Sequence, residues 1–414
     1  MTDNKVTRRD FAKVSAATAF AILASDQRAK AATNSDTLRV GLLGCGGRGS
    51  GALQQMLLGN PNTKMIAIAD VFPDRVNEKL ARFEKNAKIG ARVAVDDDHK
   101  FTGVDSYKKI LETDIDILIH ATTPYCRPQQ VLAAVKAGKH VFTEKPAAVD
   151  PAGIRTFLKA ADLADEQGLS IVTGLQRRHQ QPYLETIEKI QNGAIGDITS
   201  MRAYWCGTLP FVYERRPEWE SDLEYRLRNW YGVSWVCGDN IVEQHVHNLD
   251  VINWVKDAYP TSVFASGGRT WKPTEERFGD IYDHFSCDYE YADGTHMTSF
   301  SRHWKGAGGV FEEVIGTKGK SNCRDMGEDG QDPYVQEHIN LVKSITGEIP
   351  RRNEAHRTAY STLTAIMGRM SAYTGKKVTW DEVLNSDLNI VPDELSFEKK
   401  YPIGPVPAPG AHKV

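Results

Sequence analysis

The sequence predicts an α/β protein whose N-terminal part is built on a doubly wound parallel β-sheet. Short apolar runs alternate with helical segments between Leu38 and Thr173, and this alternation is typical of βαβ units. A glycine-rich loop joins the first apolar run to the first helical segment. The chain has 414 residues, which is long enough for a second domain after this α/β unit.

The composition indicates a globular protein, with 41% hydrophobic and 25% charged residues. The net charge is -3 and both signs are interspersed, so neither a nucleic acid nor an anionic membrane is predicted as a partner. No apolar run approaches the roughly 20 residues that a membrane span needs. The six cysteines include no CxxC pair, which argues against a zinc ribbon or a thioredoxin-like redox site.

The first 32 residues have the features of an export signal. Residues 7–13 (TRRDFAK) precede an alanine-rich apolar stretch at 14–24, and residues 29–31 (AKA) have the small-x-small pattern of a cleavage site. This order resembles a twin-arginine (Tat) signal, which exports folded proteins. We therefore expect a periplasmic or otherwise exported protein; a frayed basic N-terminus is the alternative.

The loop that follows the first apolar run, Leu38–Leu43, has the pattern G-x-G-x-x-G. Gly44 permits a tight turn, Gly46 lets the backbone approach a pyrophosphate, and Gly49 lets the helix pack closely on the strand. Arg48 lies inside the loop. Free amides at the start of the next helix favour the negative charge of a pyrophosphate. Strand, loop and helix together predict a Rossmann dinucleotide site.

A carboxylate stands at the position that suits the ribose of such a dinucleotide. The second strand, Met65–Ala69, ends in Asp70, about 20 residues beyond the loop. Asp70 would repel a 2′-phosphate, so NAD is favoured over NADP. Arg75 lies close enough to leave NADP open. The alternative is a glycine-rich turn followed by a surface aspartate.

The alternation continues through the rest of this unit. The predicted elements are helix 74–85, strand 91–95, helix 105–112, strand 115–119, helix 127–137, strand 140–143, helix 151–167 and strand 170–173. Ligands bind at the carboxyl ends of parallel strands. The residues predicted beside the nicotinamide end of the cofactor are therefore Thr122, Thr123, Pro124, Glu144 and Lys145.

An ordered set of motifs resembles the Gfo/Idh/MocA oxidoreductases, the group that includes glucose-fructose oxidoreductase and inositol dehydrogenase. The motifs are the glycine loop, Thr123-Pro124, 137–141 (AGKHV), 144–146 (EKP), 176–179 (QRRH), 193–198 (GAIGDI) and a His-x-x-Asp at 247–250. The resemblance spans residues 38 to 385. The Glu-Lys-Pro tripeptide at the end of a strand is its most specific element.

The resemblance implies a C-terminal domain with an open, mostly antiparallel β-sheet that covers the active site and forms a homo-oligomer, a dimer or a tetramer. The local sequence agrees, because 283–291 and 296–300 flank a turn at Asp293-Gly294, as in a hairpin, and 310–315 reads as a further strand. The predicted divisions are a signal at 1–32, a Rossmann domain at 38–174, a sheet domain at 175–350, helices packing back on the Rossmann domain at 351–385, and an extended arm at 386–414.

Oxidation of a sugar hydroxyl needs a base for the proton and a cation beside the oxygen. Lys145 is the predicted cation, with a salt-bridged structural lysine as the alternative. A helix predicted across 243–254 would place Glu243, His247 and Asp250 on one face. The resemblance implies that His247 is the general base, and Glu243 stands where relatives carry an aspartate. We expect Glu243 to orient His247 while Lys145 polarises the oxygen.

Further polar residues are predicted to contact a polyol: Arg177, Arg178, His179, His245 and Asp250. A solvated charged rim is the alternative for the arginines. His245 and His247 could share a metal only if the helix were irregular, so no metal is predicted. Arg127 stands close to where relatives carry a histidine, and contact with substrate or a helix cap are both open. The aromatic residues between 205 and 235 suit either a sugar pocket or a core.

These residues predict an NAD(P)-dependent oxidoreductase that oxidises a hydroxyl of a sugar or glycoside, with C3 as one candidate position. An exported enzyme has no cofactor pool outside the cytoplasm, so we expect a tightly bound cofactor. The alternatives are a redox-cycling NAD-dependent glycoside hydrolase and a non-catalytic, cofactor-gated binding protein. Residues 238–245 lack the Gly- and His-rich stretch associated with such hydrolases, and a pure binder would need neither Lys145 nor His247.

Overall fold

Two β-sheets organise residues 37–412, the part of the chain that the computed structural model describes. The predicted export signal at 1–32 lies outside these residues. Six parallel strands form the first sheet: β1 (Leu38–Leu43), β2 (Thr63–Asp70), β3 (Lys100–Thr102), β4 (Ile117–His120), β5 (His140–Thr143) and β6 (Ile171–Thr173). Their order, β3-β2-β1-β4-β5-β6, confirms the predicted doubly wound Rossmann sheet.

Five helices connect these strands and cover both faces of the sheet. They are α1 (Gly47–Gly59), α2 (Pro73–Glu84), α3 (Ser106–Leu111), α4 (Arg127–Lys136) and α5 (Pro151–Gln167). Helix α5 shows how local sequence sets the boundaries. The Asp150 side chain accepts a hydrogen bond from the Gly153 amide at 2.7 Å, Pro151 occupies the first position, and Gly168 ends the helix with φ of 70°.

The strand predicted at 91–95 is wrong. Gly90 starts a short 3-10 turn packed on the end of α2, where a Cβ would lie 2.3 Å from the Glu84 carbonyl oxygen. The chain pairs with the sheet there only through an isolated bridge between Val93 and Met65, in which the Ala94 amide donates to the Met65 carbonyl at 2.9 Å. The edge strand is β3 instead, paired with the last residues of β2. Apolar residues at 89, 93 and 95 fill the space beneath the sheet edge rather than extend it.

The second sheet has seven strands: β7 (Ile198–Cys206), β8 (Ser262–Gly268), β9 (His284–Glu290), β10 (His296–Arg302), β11 (Val310–Gly316), β12 (Lys320–Ser321) and β13 (Val378–Thr379). Their order is β12-β11-β7-β10-β9-β8-β13, and only the β7–β10 pair is parallel. The predicted hairpin is confirmed as β9 and β10, with Gly294 at φ of 79° in the turn. The mostly antiparallel second sheet is therefore confirmed.

Helices join the two sheets into one body. They are α6 (Gln181–Gln191), α7 (Asp222–Arg228), α8 (Ser234–Cys237), α9 (Asn240–Glu243), α10 (Val246–Lys256), α11 (Pro333–Thr346), α12 (Ala355–Thr374) and α13 (Trp380–Leu384). Helix α12 lies between β8 and α5, and α11 packs on α1. The Rossmann domain is thus contacted by α11 as well, which falls inside the predicted sheet domain.

The two faces of the second sheet have different surroundings. One face packs on α10 and α12. The opposite face carries exposed aromatic side chains, with Phe264 55% and Phe300 37% exposed. Among helices within 37–412, none is long and apolar enough to cross a membrane.

Candidate active site

The glycine loop lies at the carboxyl end of β1, where the first sheet changes direction. Gly44 has φ of 97°, and a Cβ there would lie 2.6 Å from the backbone of Ala121. A Cβ on Gly49 would lie 1.9 Å from the Gly44 carbonyl oxygen. At Gly47, apart from the adjoining residues and the backbone of its own helix, no heavy atom of the described residues lies within 4 Å of the Cβ position. The first two glycines are required by packing, whereas Gly47 leaves the loop surface open to a ligand.

The helix behind this loop begins with free amides. Gly46 precedes α1 and supplies no capping side chain, and the first turn carries no acidic residue. Asp70, at the end of β2, accepts hydrogen bonds from the Cys45 amide at 2.6 Å and the Phe72 amide at 3.0 Å. Burial raises the pKa of Asp70. The loop and the carboxylate are therefore held at a fixed separation.

A single cleft contains most of the predicted cofactor residues. Its lining includes Gly44, Gly46, Arg48, Asp70, Arg75, Thr122 and Thr123. The donor set fits a dinucleotide, because open amides at the start of α1 suit a pyrophosphate and Asp70 suits a ribose diol. Gly49 lies behind this surface and supports the helix–strand contact. When bound in this cleft, NAD would supply the hydride acceptor.

The turn after β4 forms the floor at the other end of the cleft. The Thr122 hydroxyl lies 2.9 Å from both His120 Nε2 and Gln130 Oε1. His120 is fully buried, and burial lowers its pKa to about 3. The ring is therefore neutral and acts as a fixed hydrogen-bonding support for Thr122.

Arg127 links this turn to the one after β5. Its Nη2 donates to the Thr122 carbonyl at 2.6 Å, and its Nη1 donates to the Pro146 carbonyl. The residue is 2% exposed, and burial lowers its pKa to about 10. Arg127 is thus placed to hold Lys145, the neighbour of Pro146, close to the turn after β4 that contains Thr122.

A second pocket adjoins the cofactor cleft. Its lining comprises Arg48, Ala121, Thr122, Pro124, Arg127, Glu144, Lys145, Gly174, Gln176, Trp230, Glu243, His247 and Tyr334. Arg48 and Thr122 belong to both spaces. The structure therefore brings all three predicted catalytic residues together in one pocket beside the cleft.

Lys145 is anchored to α9. Its Nζ donates to the Glu243 carbonyl oxygen at 2.6 Å and to Glu243 Oε1 at 2.7 Å. Both side chains are largely buried, with 13% and 11% exposed. An ammonium has three N–H donors, so one remains for a substrate oxygen.

The continuous helix predicted over 243–254 is wrong. Helix α9 ends at Glu243, and α10 begins at Val246 after a turn. The Glu243 carbonyl would accept the His247 amide in an unbroken helix, but it accepts Lys145 Nζ, and the His247 amide turns to the Gln244 carbonyl at 3.4 Å. Glu243 therefore holds Lys145, and the prediction that it orients His247 is corrected.

His247 lines the same pocket as Lys145 and carries a neutral imidazole. Its ring stacks on Trp205 with centroids 5.9 Å apart, and its Nδ1 has no hydrogen-bond partner within the described part of the chain. Burial and the nearby Lys145, Arg177 and Arg48 cations hold the pKa of His247 well below its ordinary value. An unprotonated imidazole can accept a hydroxyl proton.

Four of the five predicted polyol contacts lie in the interior rather than in the pocket. Arg178 makes three hydrogen bonds of 2.8 to 3.1 Å to Asp250. His179 Nδ1 lies 2.8 Å from Asn340, and His245 Nε2 lies 2.6 Å from Ser299. Arg177 lies nearer the pocket, but its guanidinium is bound to Glu312.

The placement of Asp250 follows from the break between α9 and α10. The turn at 244–245 rotates α10 relative to α9, so Asp250 meets Arg178 instead of sharing a face with Glu243. Buried charges need partners, and each of these residues has found one away from the pocket. In the part of the chain that is described, no group of three or more His, Cys, Asp or Glu side chains could hold a metal ion.

Several lining residues escaped the sequence analysis. Gln176 and Tyr334 line the second pocket, and Trp230 lines both this pocket and the cofactor cleft. Trp230 belongs to the aromatic segment noted at 205–235, but no local pattern marks it as a site residue. Tyr334 comes from α11 and reaches the site because that helix packs on α1. The local sequence does not predict this contact between the two helices.

Comparison with known proteins matches both domains to one family. Residues 38–173 match the model described as "Oxidoreductase family, NAD-binding Rossmann fold", and residues 183–321 match the "GFO/IDH/MocA C-terminal domain". Together they cover more than half of the chain.

The curated relatives include inositol dehydrogenases. The inositol 2-dehydrogenase of Acidothermus cellulolyticus is 26% identical over 233 residues, which is 56% of this chain and 58% of that protein. The myo-inositol 2-dehydrogenase of Thermotoga maritima is 25% identical over 250 residues, 59% of this chain and 62% of that protein. The matched part therefore spans less than two thirds of either relative's length.

Solved structures share the fold across both domains. The scyllo-inositol dehydrogenase of Lactobacillus casei, solved with NAD(H) and scyllo-inositol, gives a TM-score of 0.64 at 19% identity, covering 84% of this chain and 100% of that one. The WlbA dehydrogenase of Bordetella pertussis, solved with NADH and UDP-GlcNAcA, gives 0.63 at 18% identity, covering 83% and 98%. With the two matched domains and the cleft described above, the chain belongs to the Gfo/Idh/MocA oxidoreductase family, whose N-terminal domain is an NAD-binding Rossmann fold.

Proposed function

We propose that this protein is an NAD-dependent dehydrogenase that oxidises a ring hydroxyl of a sugar, a polyol or a glycoside. The observation that carries the proposal is the juxtaposition of Lys145 and His247 in a pocket continuous with the dinucleotide cleft. A cation with a spare donor and a neutral imidazole are the two groups that the removal of a hydroxyl proton requires.

The residues divide the work as follows. Glu243 holds the Lys145 ammonium with two hydrogen bonds, and the remaining N–H of Lys145 donates to the substrate oxygen. His247 accepts the hydroxyl proton. Because Lys145, Arg177 and Arg48 disfavour an imidazolium at this position, His247 passes the proton on to water.

Relatives and neighbours support the substrate class. Two relatives are named for the oxidation of inositol, and two neighbouring structures contain scyllo-inositol or UDP-GlcNAcA. Each of these compounds contains a six-membered ring that carries several hydroxyl groups. We extend this class to the present pocket, with C3 of a glycoside as one position to test. NAD is the proposed cofactor because Asp70 faces the ribose region, and Arg75 in the same lining makes NADP the variant to compare.

The proposal includes a tightly bound cofactor, export and self-association. Export by the Tat pathway to the periplasm is supported by the arginine pair and cleavage pattern within residues 7–31. Association is supported by the exposed aromatic face of the second sheet, which includes Phe264 and Phe300. Cell fractionation with Arg8→Lys/Arg9→Lys tests export, and light scattering with Phe300→Arg tests association.

The decisive experiment uses the absorbance of reduced nicotinamide in the purified protein with a panel of inositols, sugars and glycosides. Reduction that persists until an acceptor is added supports a dehydrogenase. A signal that returns to baseline as free aglycone appears would instead establish the redox-cycling glycoside hydrolase. If compounds of the panel bind but none changes the redox state of the nicotinamide, the protein is a non-catalytic, cofactor-gated binding protein.

A matched pair of lysine variants tests the roles. Lys145→Met is expected to lower turnover by roughly 100-fold or more, the usual scale for one acid–base or polarising group, while NADH affinity is retained. Lys159→Met, on the exposed side of α5, is the control and should match the wild type. Wild-type turnover in Lys145→Met would remove Lys145 from the mechanism.

A further inference from the structure

The dinucleotide cleft has a wall that does not belong to the Rossmann domain. Residues 221–232, which include α7 and the turn that follows it, come from the region of the second domain between β7 and β8. We call them the cover segment. Leu227 and Trp230 of this segment line the cleft together with Gly46 and Asp70. Trp230 also lines the catalytic pocket, so the cover segment runs along the cleft towards the reacting end.

One arginine latches the cover segment to the Rossmann domain. Arg228 donates from Nη1 and Nη2 to the two oxygens of Asp74 at 3.1 and 2.9 Å. Its guanidinium lies 4.0 Å from the centroid of the Phe72 ring. Phe72 and Asp74 form the start of α2, directly after Asp70. The latch therefore closes beside the carboxylate that would hold the ribose.

The latch is well defined rather than a chance surface pair. The Arg228 side chain is 14% exposed, and Glu224 on the same helix also accepts from it at 2.8 Å. The Arg228 hydrogen bonds lower the pKa of Asp74. A two-pronged guanidinium–carboxylate pair that also stacks on an aromatic ring has a specific geometry.

The cover segment is supported from behind by the C-terminal arm. Arg226 Nε donates to the Tyr401 carbonyl at 2.9 Å, and the Tyr401 amide donates to Asp222 at 3.1 Å. Leu223 and Leu227 share an apolar cluster with Phe72 and Tyr401. The segment is thus held between the start of α2 on one side and the arm on the other.

We propose that the cover segment is the outer wall of the cofactor site, with Leu227 and Trp230 as cofactor-contacting residues and Arg228 as the positioning residue that keeps the wall closed. A dinucleotide in the cleft leaves only after this wall separates from α2. The wall thereby makes the cofactor a resident group instead of a co-substrate released at each turnover. This inference rests on the proposed function only in taking the dinucleotide as the ligand.

The test measures NADH release in the absence of any sugar. The full-length protein is loaded with NADH, chased with excess NAD, and followed by the fluorescence of the bound nicotinamide. Arg228→Met is expected to release NADH about 10-fold faster, since it removes both an ion pair and a cation–π contact. Arg228→Lys keeps the charge but loses the fork, and should restore part of the retention.

Two further variants keep the test decisive. Asp74→Asn weakens the same latch from the Rossmann side, where Asp74 is 61% exposed, so folding is preserved and release should accelerate severalfold. Arg202→Met is the matched control, because Arg202 is 49% exposed and pairs with Glu313 at 2.9 Å on the second sheet, and neither residue lines the cleft. It should release NADH at the wild-type rate.

The outcomes separate the two proposals. If folded Arg228→Met and folded Asp74→Asn both release NADH at the wild-type rate, the proposal that the cover segment retains the cofactor is wrong, whatever sugar is oxidised. If these variants release NADH faster but the protein oxidises no sugar, the role of the cover segment is supported and the proposed function is refuted. Melting temperatures measured without cofactor show whether a change in release reflects the latch or a general loss of stability.

Discussion

The buried pair Arg178–Asp250 allows a sharp test of whether these residues hold the fold or contact substrate. Arg178 donates three hydrogen bonds to Asp250, and its guanidinium lies 4.9 Å from the Trp254 ring centroid. The side chains are 8% and 1% exposed. The perturbation is Arg178→Met, which retains apolar bulk but removes the charge and every donor.

The contacts of Asp250 set the expected loss of unfolding free energy in Arg178→Met. Without Arg178, the Asp250 carboxylate keeps one side-chain donor, the Ser361 hydroxyl at 2.7 Å. Stranding one member of a buried ion pair costs about 3–5 kcal/mol of unfolding free energy. Replacing both members by apolar residues is often close to neutral, so Arg178→Met/Asp250→Leu should be more stable than Arg178→Met alone.

Urea unfolding followed by circular dichroism measures both variants, with Lys399→Met as the control. Lys399 pairs with Glu394 at the surface, with 51% and 74% of the side chains exposed, so its loss should cost no more than about 1 kcal/mol. The reasoning is refuted if Arg178→Met is as stable as the control variant while KM for the sugar rises. That result would indicate that Arg178 contacts the substrate rather than holds the fold.

Three further predictions follow from the same contacts. The acid limb of the kcat/KM profile should lie below pH 6.5, because burial and nearby cations hold the pKa of His247 below that ordinary value. Arg177→Met removes one of these cations and should move the limb to higher pH; an unmoved limb would exclude His247 as the titrating base. Unfolding free energy should fall as pH drops from about 6.5 towards about 3. Burial lowers the pKa values of His120 and His245 to about 3, so over this range the unfolded chain binds protons that the folded chain does not. His245→Gln should flatten that slope in urea midpoints measured across the range, and an unchanged slope would contradict the assignment. Arg127→Met should lower kcat more than it raises KM, because Arg127 ties two turns rather than the substrate, with partial rescue in Arg127→Lys; a rise in KM alone would indicate direct contact.

Much of the cofactor site could be predicted because it depends on short-range geometry. Gly44 and Gly49 meet atoms of the same strand–loop–helix unit and its neighbouring strand, and Asp70 follows at a characteristic spacing. The position of Lys145 followed from the rule that ligands bind at the carboxyl ends of parallel strands. Each of these predictions required only the order of the elements along the chain.

The partners of the charged side chains could not be predicted in the same way. Lys145 binds Glu243 across 98 residues of sequence, and that bond diverts the carbonyl that would have continued the helix. Arg178 and Asp250 were predicted as site residues because they are polar and lie within or next to the motifs. In the structure both are buried and form an ion pair with each other.

The sequence by itself therefore determined the Rossmann sheet, the glycine loop, its acidic partner and three of the residues that meet in the pocket, Lys145, Glu243 and His247. Only the tertiary structure decided that α9 stops at Glu243, that α11 delivers Tyr334, and that residues 221–232 wall the cleft. Backbone conformation and apolar periodicity are encoded locally. A buried charge requires only that some partner exist, and which residue becomes that partner is settled when distant segments pack together.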